Sequence, residues 1–458
     1  MPDVTNLNWR SAPGGRKDGF WEALRHWLVP GIGVKRWLGV MILGTALIGL
    51  GVAIILLDIY RAYPESNLLP VFSLMALPRW LRALAFGAAG LTLLLLGMIR
   101  LNRALLAPYM RPGRPVARAV AEHRRLGRGP KIVAIGGGNG LATLLRGLKE
   151  HTGNLTAIVS VADDGGSSGR LRRSLGIPPP GDLRNCLAAL SDDEDLLTQL
   201  FRYRFAQEDE LDGHAFGNLF IAALTGVTGS FDEGLLEAAH ILGIRGQVLP
   251  ATLADVALVA DKTPMMDAQA IRIQGESRIP DMPGRVRAVH LEPNDPPAYP
   301  GSIKAVLAAD MIVLGPGSLY TSVLPNLLVP DLAKAVRASR GLKVQVCNIA
   351  NQLGETDGYD AAAHLAALED QLGRGLIEML LVNDRLDVPA PEAVHYVPPP
   401  ATALGSASVF ASDLVDPQRP WRHDPAKLAA ALIQILEERT GPLESAMPIG
   451  EAVHPGLN

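Results

Sequence analysis

The chain has 458 residues, room for two or three domains, and a formal net charge of −3. That balance excludes a general polyanion binder, and two cysteines, Cys186 and Cys347, exclude a disulfide framework or a cysteine-based zinc centre. At 48% hydrophobic and 19% charged, the composition is apolar for a soluble enzyme, so membrane segments are expected within an otherwise ordinary chain.

Residues 1–37 read as a basic tail with Arg10, Arg16, Lys17, Arg25, Lys35 and Arg36. The first apolar run begins too late for a cleaved signal peptide. It covers 38–57 without a charge and lies between Trp37 and Tyr60, a length and flanking that fit a membrane span. A second uncharged run covers 83–99, with Trp80 before it. The competing reading is a buried core hairpin. Length, flanking charges and aromatic ends instead predict a transmembrane hairpin over 38–100 in a multi-pass cell-membrane protein. The loop 58–82 carries three arginines, whereas 100–131 is strongly basic, so both termini and the large domain are expected in the cytoplasm. The stretch 101–130 reads as a juxtamembrane linker facing membrane lipid. It lacks interleaved aromatics, so no nucleic-acid partner is expected.

From 131 the chain alternates strand-like and helix-like runs. The fold expected is α/β: a Rossmann-like, mostly parallel sheet with helices on both faces. Residues 131–135 form a short Ile/Val-rich run that fits a strand buried on both faces. Gly136, Gly137, Gly138, Asn139 and Gly140 follow, and then Leu141, Leu144, Leu145 and Leu148 recur at helical spacing. A glycine turn between strand and helix places backbone N–H groups where a phosphate can approach. The competing reading is a turn that only packs helix on sheet. Thr143 stands where a regular dinucleotide fingerprint has a small residue, which argues against an ordinary NAD site.

A second apolar run ends in Asp163 and Asp164. These are candidates for a ribose hydroxyl or for magnesium, the one cofactor expected. The following residues Gly166, Ser167, Ser168, Gly169 and Arg170 fit an anion nest with a cation beside it. Asp182 precedes an apolar helix, where an N-cap is the plain reading. Arg184 and Asn185 fall in the first turn, where a cation opposes the helix dipole and points to a ligand or an acidic partner for Arg184. His214 and Asn218 are spaced to share a helix face. The stretch 248–289 has short β-like runs broken by Pro and Gly and reads as a small β-rich insertion. A second strand and glycine turn end in Gly315, Gly317 and Ser318, with Tyr320 and Thr321 beyond. Glu355 and Thr356 follow a further strand and line the same edge. The domain closes near 440, leaving 441–458 as a tail.

The blocks GGGNGLATLLRGLK, ADDGGSSGRLR, PPGDLRNCLAAL, GHAFGNLFIAAL, LGPGSLYTSVLPNLLVP and NQLGETDGY resemble the YvcK-type gluconeogenesis factor family, related to the CofD phospholactate transferases. The resemblance covers roughly 131–440 and adds His214 to the expected site. It implies a non-catalytic regulator that binds a UDP-sugar and acts on cell shape, envelope synthesis and carbon use. Its implied partners are a nucleotide sugar or nucleotide diphosphate and envelope-synthesis proteins; a homodimer is a separate expectation for the chain. The alternative is a CofD-like 2-phospho-L-lactate transferase, moving a phospholactyl group from a nucleotide diphosphate carrier with metal assistance.

Overall fold

The computed structural model describes scattered positions between 45 and 61, then 78–106, 124–191, 196–205, 211–264, 270–282, 284–405 and 407–441. The chain divides into two units, Met1–Arg124 and Arg125–Asn458. In the first unit one long helix, α1 (Arg79–Leu106), is described.

The expected membrane hairpin does not stand among the described residues. No single described helix is long and apolar enough to cross a membrane. The apolar part of α1 is Leu84–Met98, about 22 Å at 1.5 Å per residue, against a hydrocarbon core of about 30 Å. Arg79 and Arg82 on one side and Arg100 and Arg103 on the other cut it short. The expected first span, 38–57, lies largely outside the described residues, as do 1–37 and 442–458.

The second unit is built on a seven-stranded, wholly parallel sheet. In chain order its elements begin with β1 (Ile132–Gly136), α2 (Gly138–Leu148), β2 (Leu155–Val159), α3 (Gly166–Leu175), α4 (Gly181–Leu190), α5 (Leu196–Arg202), α6 (Phe216–Thr228), α7 (Phe231–Ile241) and β3 (Gln247–Pro250). The insertion follows, with β4 (Ala257–Thr263), β5 (Ile271–Gln274), a 3-10 turn at Glu276–Arg278, and β6 (Arg285–Glu292). The main sheet resumes with α8 (Pro300–Leu307), β7 (Met311–Leu314), a π turn at Leu319–Val323, α9 (Leu324–Leu327), α10 (Pro330–Ala338) and β8 (Leu342–Val346). It ends with α11 (Ala361–Leu372), β9 (Met379–Asn383), β10 (Ser408–Ser412) and α12 (Pro425–Thr440). Helices α6 and α7 are long and apolar enough for a span only as a pair, and the pair is bent by 120°.

The sheet order is β10-β9-β8-β7-β1-β2-β3. Central strands are apolar without alternation because helices cover both faces: every residue of β1 and β7 is buried. Ile132 lies opposite Leu155 on one side and Met311 on the other. Helix α2 lays Leu141, Leu144, Leu145 and Leu148 into the core. Its Gly147 meets the Pro425 carbonyl so closely that a Cβ would overlap it.

The last helix is held in place at its start. Asp424 accepts from Ala426 N–H at 2.8 Å and Lys427 N–H at 2.9 Å, with Pro425 in the first turn. Asp424→Ala is expected to cost about 1 kcal/mol, the usual effect of losing a helix cap, read as a lowered urea midpoint at unchanged slope.

The insertion is a three-stranded antiparallel sheet, β5-β4-β6. Lys262 of β4 ties it to the main body. Its buried ammonium donates to the carbonyls of Ile279 at 2.8 Å, Gly354 at 2.7 Å, and Met282. Three carbonyls satisfy all three ammonium hydrogens, and the Glu355 and Asp357 carboxylates add charge attraction against the cost of burial.

Candidate functional site

The chain builds β1, β2 and β3 outward in one direction. It then returns to β7 on the other side of β1 and builds outward again. The loops after β1 and β7 therefore leave the sheet edge side by side, at a topological switch point. Gly138 has a φ of +63°, a region that disfavours a side chain. Gly140 abuts the Pro316 carbonyl, so that a Cβ there would overlap it. The two turns thus touch through backbone. Asn348, just past β8, accepts from Gly317 N–H at 3.3 Å and donates to the Gly317 carbonyl at 3.0 Å.

Asp182 does not cap its own helix. It lies in the first turn of α4, which has no side-chain cap. Its carboxylate crosses instead to Gly138 N–H at 2.7 Å. Burial, then the nearby Asp163 carboxylate, push Asp182 up to about 6, against the opposing pull of the Gly138 N–H and Arg184. Two more acids share this environment. Glu276, on the insertion's 3-10 turn, is raised to about 8 by burial and then by Asp163, Asp182, Glu355 and Asp164. Burial raises Glu355 to about 7 although Thr321 Oγ1 donates to it at 3.0 Å. Carboxyls from separate segments thus converge beside the glycine turns, and burial raises Asp163, Asp182, Glu276 and Glu355 alike. Glu276 was not expected from sequence, since a Glu after a loop glycine carries no distinguishing pattern.

The Asp-Gly-Ser loop is strongly self-bonded. Asp163 Oδ1 accepts from Gly165 N–H at 2.9 Å, and burial raises its carboxyl too. Asp164 Oδ1 accepts from Ser277 N–H at 3.0 Å, joining the loop to the insertion. Ser167 and Ser168 are buried in the first turn of α3, ahead of Gly169. Ser167 Oγ lies 3.0 Å from His214 Nδ1 and accepts from Asn218 Nδ2 at 3.0 Å. Arg170 Nε donates to His214 Nε2 at 3.1 Å. That nitrogen must accept, so the imidazole proton sits on Nδ1 and points at Ser167. His214 therefore has no lone pair with which to take the Ser167 proton, and the pair is not an activated nucleophile. Burial and then Arg170 and Arg204 hold His214 below its ordinary range, which keeps it neutral.

The donor set fits magnesium only as an ion shared with a ligand's phosphates. Among the described residues no group of three metal-ligating side chains gathers. The oxygens of Asp163 and Asp164 nonetheless suit a hard cation that takes one or two carboxylates and substrate phosphate.

Around the second turn, Ser318 Oγ donates to Gln352 Oε1 at 2.5 Å and Tyr320 meets the Tyr359 hydroxyl at 3.0 Å. Thr356 Oγ1 accepts from Gln352 N–H at 2.9 Å. Tyr320, Thr321, Glu355 and Thr356 are buried, so these groups shape the wall rather than face an opening. Beside both turns lies a cavity of about 210 Å³, lined by Asn139, Gly140, Ser318, Asn348 and Gln352 together with Trp421, Arg422 and His423. The Trp-Arg-His segment was not anticipated. It comes just before α12, far along the chain, and is anchored by buried His423, whose Nε2 lies 3.1 Å from the Cys347 carbonyl. Burial holds that imidazole at about 4, so it is neutral and Nε2 donates. A larger groove of about 970 Å³ runs beside β3 between α7 and α8, and no expected site residue lines it.

Residues 132–440 match the family model described as 2-phospho-L-lactate transferase CofD. A putative gluconeogenesis factor from Nostoc is 43% identical over 434 residues, 89% of this chain and 91% of that protein. The gluconeogenesis factor of Bacillus subtilis is 44% identical over 323 residues, 68% of this chain and 100% of its own. A crystal structure of a UPF0052-family protein from Bacillus halodurans superposes with a TM-score of 0.62 at 42% identity, covering 66% of this chain and 99% of that one. The Nostoc alignment takes in more of the chain than the 132–440 region can supply, so the likeness extends beyond the nucleotide-binding domain expected from sequence.

Proposed function

The chain belongs to the CofD-like family of gluconeogenesis factors, and from that premise we propose that it binds a nucleotide sugar at the β1/β7 switch point. The observation that carries this reading is the cavity beside the two glycine turns. Its wall combines the amide side chains of Asn139, Asn348 and Gln352 with the indole of Trp421. Amides offer paired donors and acceptors to the edge of a base, and an aromatic ring offers its face. Phosphates then run along the turns toward Asp163 and Ser168. As a regulator, the protein would report nucleotide-sugar supply to envelope synthesis, cell shape and carbon use.

Binding without turnover is the reading preferred, because the Ser167–His214 pair has the wrong proton placement for attack. One observation favours the transferase alternative: Asp182 and Glu276 titrate near neutral pH, as groups that exchange protons with a substrate do. A thermal-shift panel of UDP-sugars, GDP and NAD, each with and without magnesium, tests both. UDP-sugars at about 100 times Kd are expected to stabilise by about 2.7 kcal/mol, with the nucleotide sugar recovered intact. Stabilisation by NAD alone sinks the proposal. A magnesium-dependent transfer or hydrolysis product turns it to the transferase.

A further inference from the structure

We propose that Arg170, Arg184 and Arg204 form a second anion site, for an acidic group at the end of the ligand away from its base; the inference rests on the nucleotide-sugar reading. Arg184 is only 9% exposed, and its Nε is buried without a hydrogen-bond partner. Its Nη2 donates to Asn185 Oδ1 at 2.8 Å, a neutral acceptor. Arg204 donates to the Gly213 carbonyl and Arg170 to the Asp212 carbonyl, both at 2.6 Å. Among the described residues, none of the three has a carboxylate within ion-pair distance.

The three cations lie around the same short segment. His214 feels both Arg170 and Arg204, and the Arg184 stem packs on Gly217. Burial weighs most on the Arg184 charge. After burial, repulsion from Arg204 outweighs the attraction of Asp182. A buried guanidinium with a spare N–H and like charges nearby is unfavourable until an anion arrives.

Sheet order sets where that anion sits on a ligand. The Trp421 cavity lies by the ends of β7 and β8, whereas α3 and α4 follow β2, on the far side of β1. The span from β8 to β2 is three strand spacings, about 14 Å. A molecule with its base at Trp421 and its diphosphate along the glycine turns brings its sugar end to the arginines. The ligand class assigned is therefore a nucleotide sugar whose sugar carries a carboxylate or phosphate.

The full chain is titrated calorimetrically with UDP-glucose and with UDP-glucuronate, as wild type and as Arg204→Gln. Arg204 is exposed, so the variant keeps the fold. Wild type is expected to bind UDP-glucuronate about tenfold more tightly, and Arg204→Gln to lose that preference while UDP-glucose binding stays within about twofold. Inorganic phosphate is tested in parallel by thermal shift at constant ionic strength. If UDP-glucose binds but the acidic sugar gains nothing, or gains equally in Arg204→Gln, the anion site is overturned and the nucleotide reading stands. If neither nucleotide binds, that reading fails and phosphate decides. Stabilisation by phosphate that Arg204→Gln abolishes then supports the site alone, and its absence overturns the site as well.

Discussion

Gly140→Ala is expected to weaken UDP-sugar binding by more than about a hundredfold. The reason is contact, not flexibility. The added Cβ would overlap the Pro316 carbonyl, and both partners are backbone, so neither turns aside as a side chain would. Relief requires the β1 and β7 turns to separate, which opens the cavity walled by Asn139 and Asn348 and disturbs the Asn348–Gly317 hydrogen bonds. Overpacking of this kind costs about 1–3 kcal/mol of stability, and misplacing binding groups by an ångström costs more in affinity. Gly138→Ala is the comparison for backbone strain without overlap against protein. Its Cβ would meet only Ser322 Oγ at 3.9 Å, but φ is +63°, so the strain is about 1–2 kcal/mol with the space left open. Calorimetry on both variants separates the cases. If Gly140→Ala binds as wild type does, the two turns do not form one site.

The scaffold was legible in the sequence because its physics is local. The buried runs IVAIG and MIVL and the four leucines of α2 declare strand and helix through periodicity alone. The short broken runs after β3 announced an insertion, and three antiparallel strands stand there. What could not be read was which groups meet. Asp182 looked like a cap because it sits at a helix start, yet its carboxylate crosses to Gly138. Glu276, Lys262 and Trp421 become neighbours of the site only when the insertion and the chain before α12 fold back onto the sheet edge. No spacing rule links such distant segments. The membrane hairpin was over-read for a related reason: an uncharged window measures composition, while spanning depends on a continuous apolar helix, and that of α1 is only Leu84–Met98.

Asp182→Asn should stabilise the protein at alkaline pH, and the sign follows from where the proton resides. The ordinary carboxyl value is 3.8 and the folded value is about 6. Between them the folded state holds more protons than the unfolded chain, so the Asp182 contribution to stability is lost as pH rises through that window. The asparagine carbonyl still accepts from Gly138 N–H, but carries no charge to bury beside Asp163. The difference between variant and wild type should therefore grow from near zero at pH 4 to on the order of 3 kcal/mol at pH 8. Histidines act in the opposite sense: His423, held at about 4, destabilises the fold as it protonates, but its contribution cancels in the difference. Binding shares this linkage. An ionised Asp182 repels a diphosphate lying on the Gly138 turn, so UDP-sugar affinity should fall as pH rises from 6 to 8, and Asp182→Asn should flatten the slope. A ligand held through magnesium would slope the other way, because the metal needs the carboxylates ionised. Denaturation midpoints and calorimetric titrations at pH 6 and pH 8 read both effects. Affinity that rises with pH in the presence of magnesium, and is lost in Asp182→Asn, would place a metal ion between the acids and the phosphates and displace the simple binding reading.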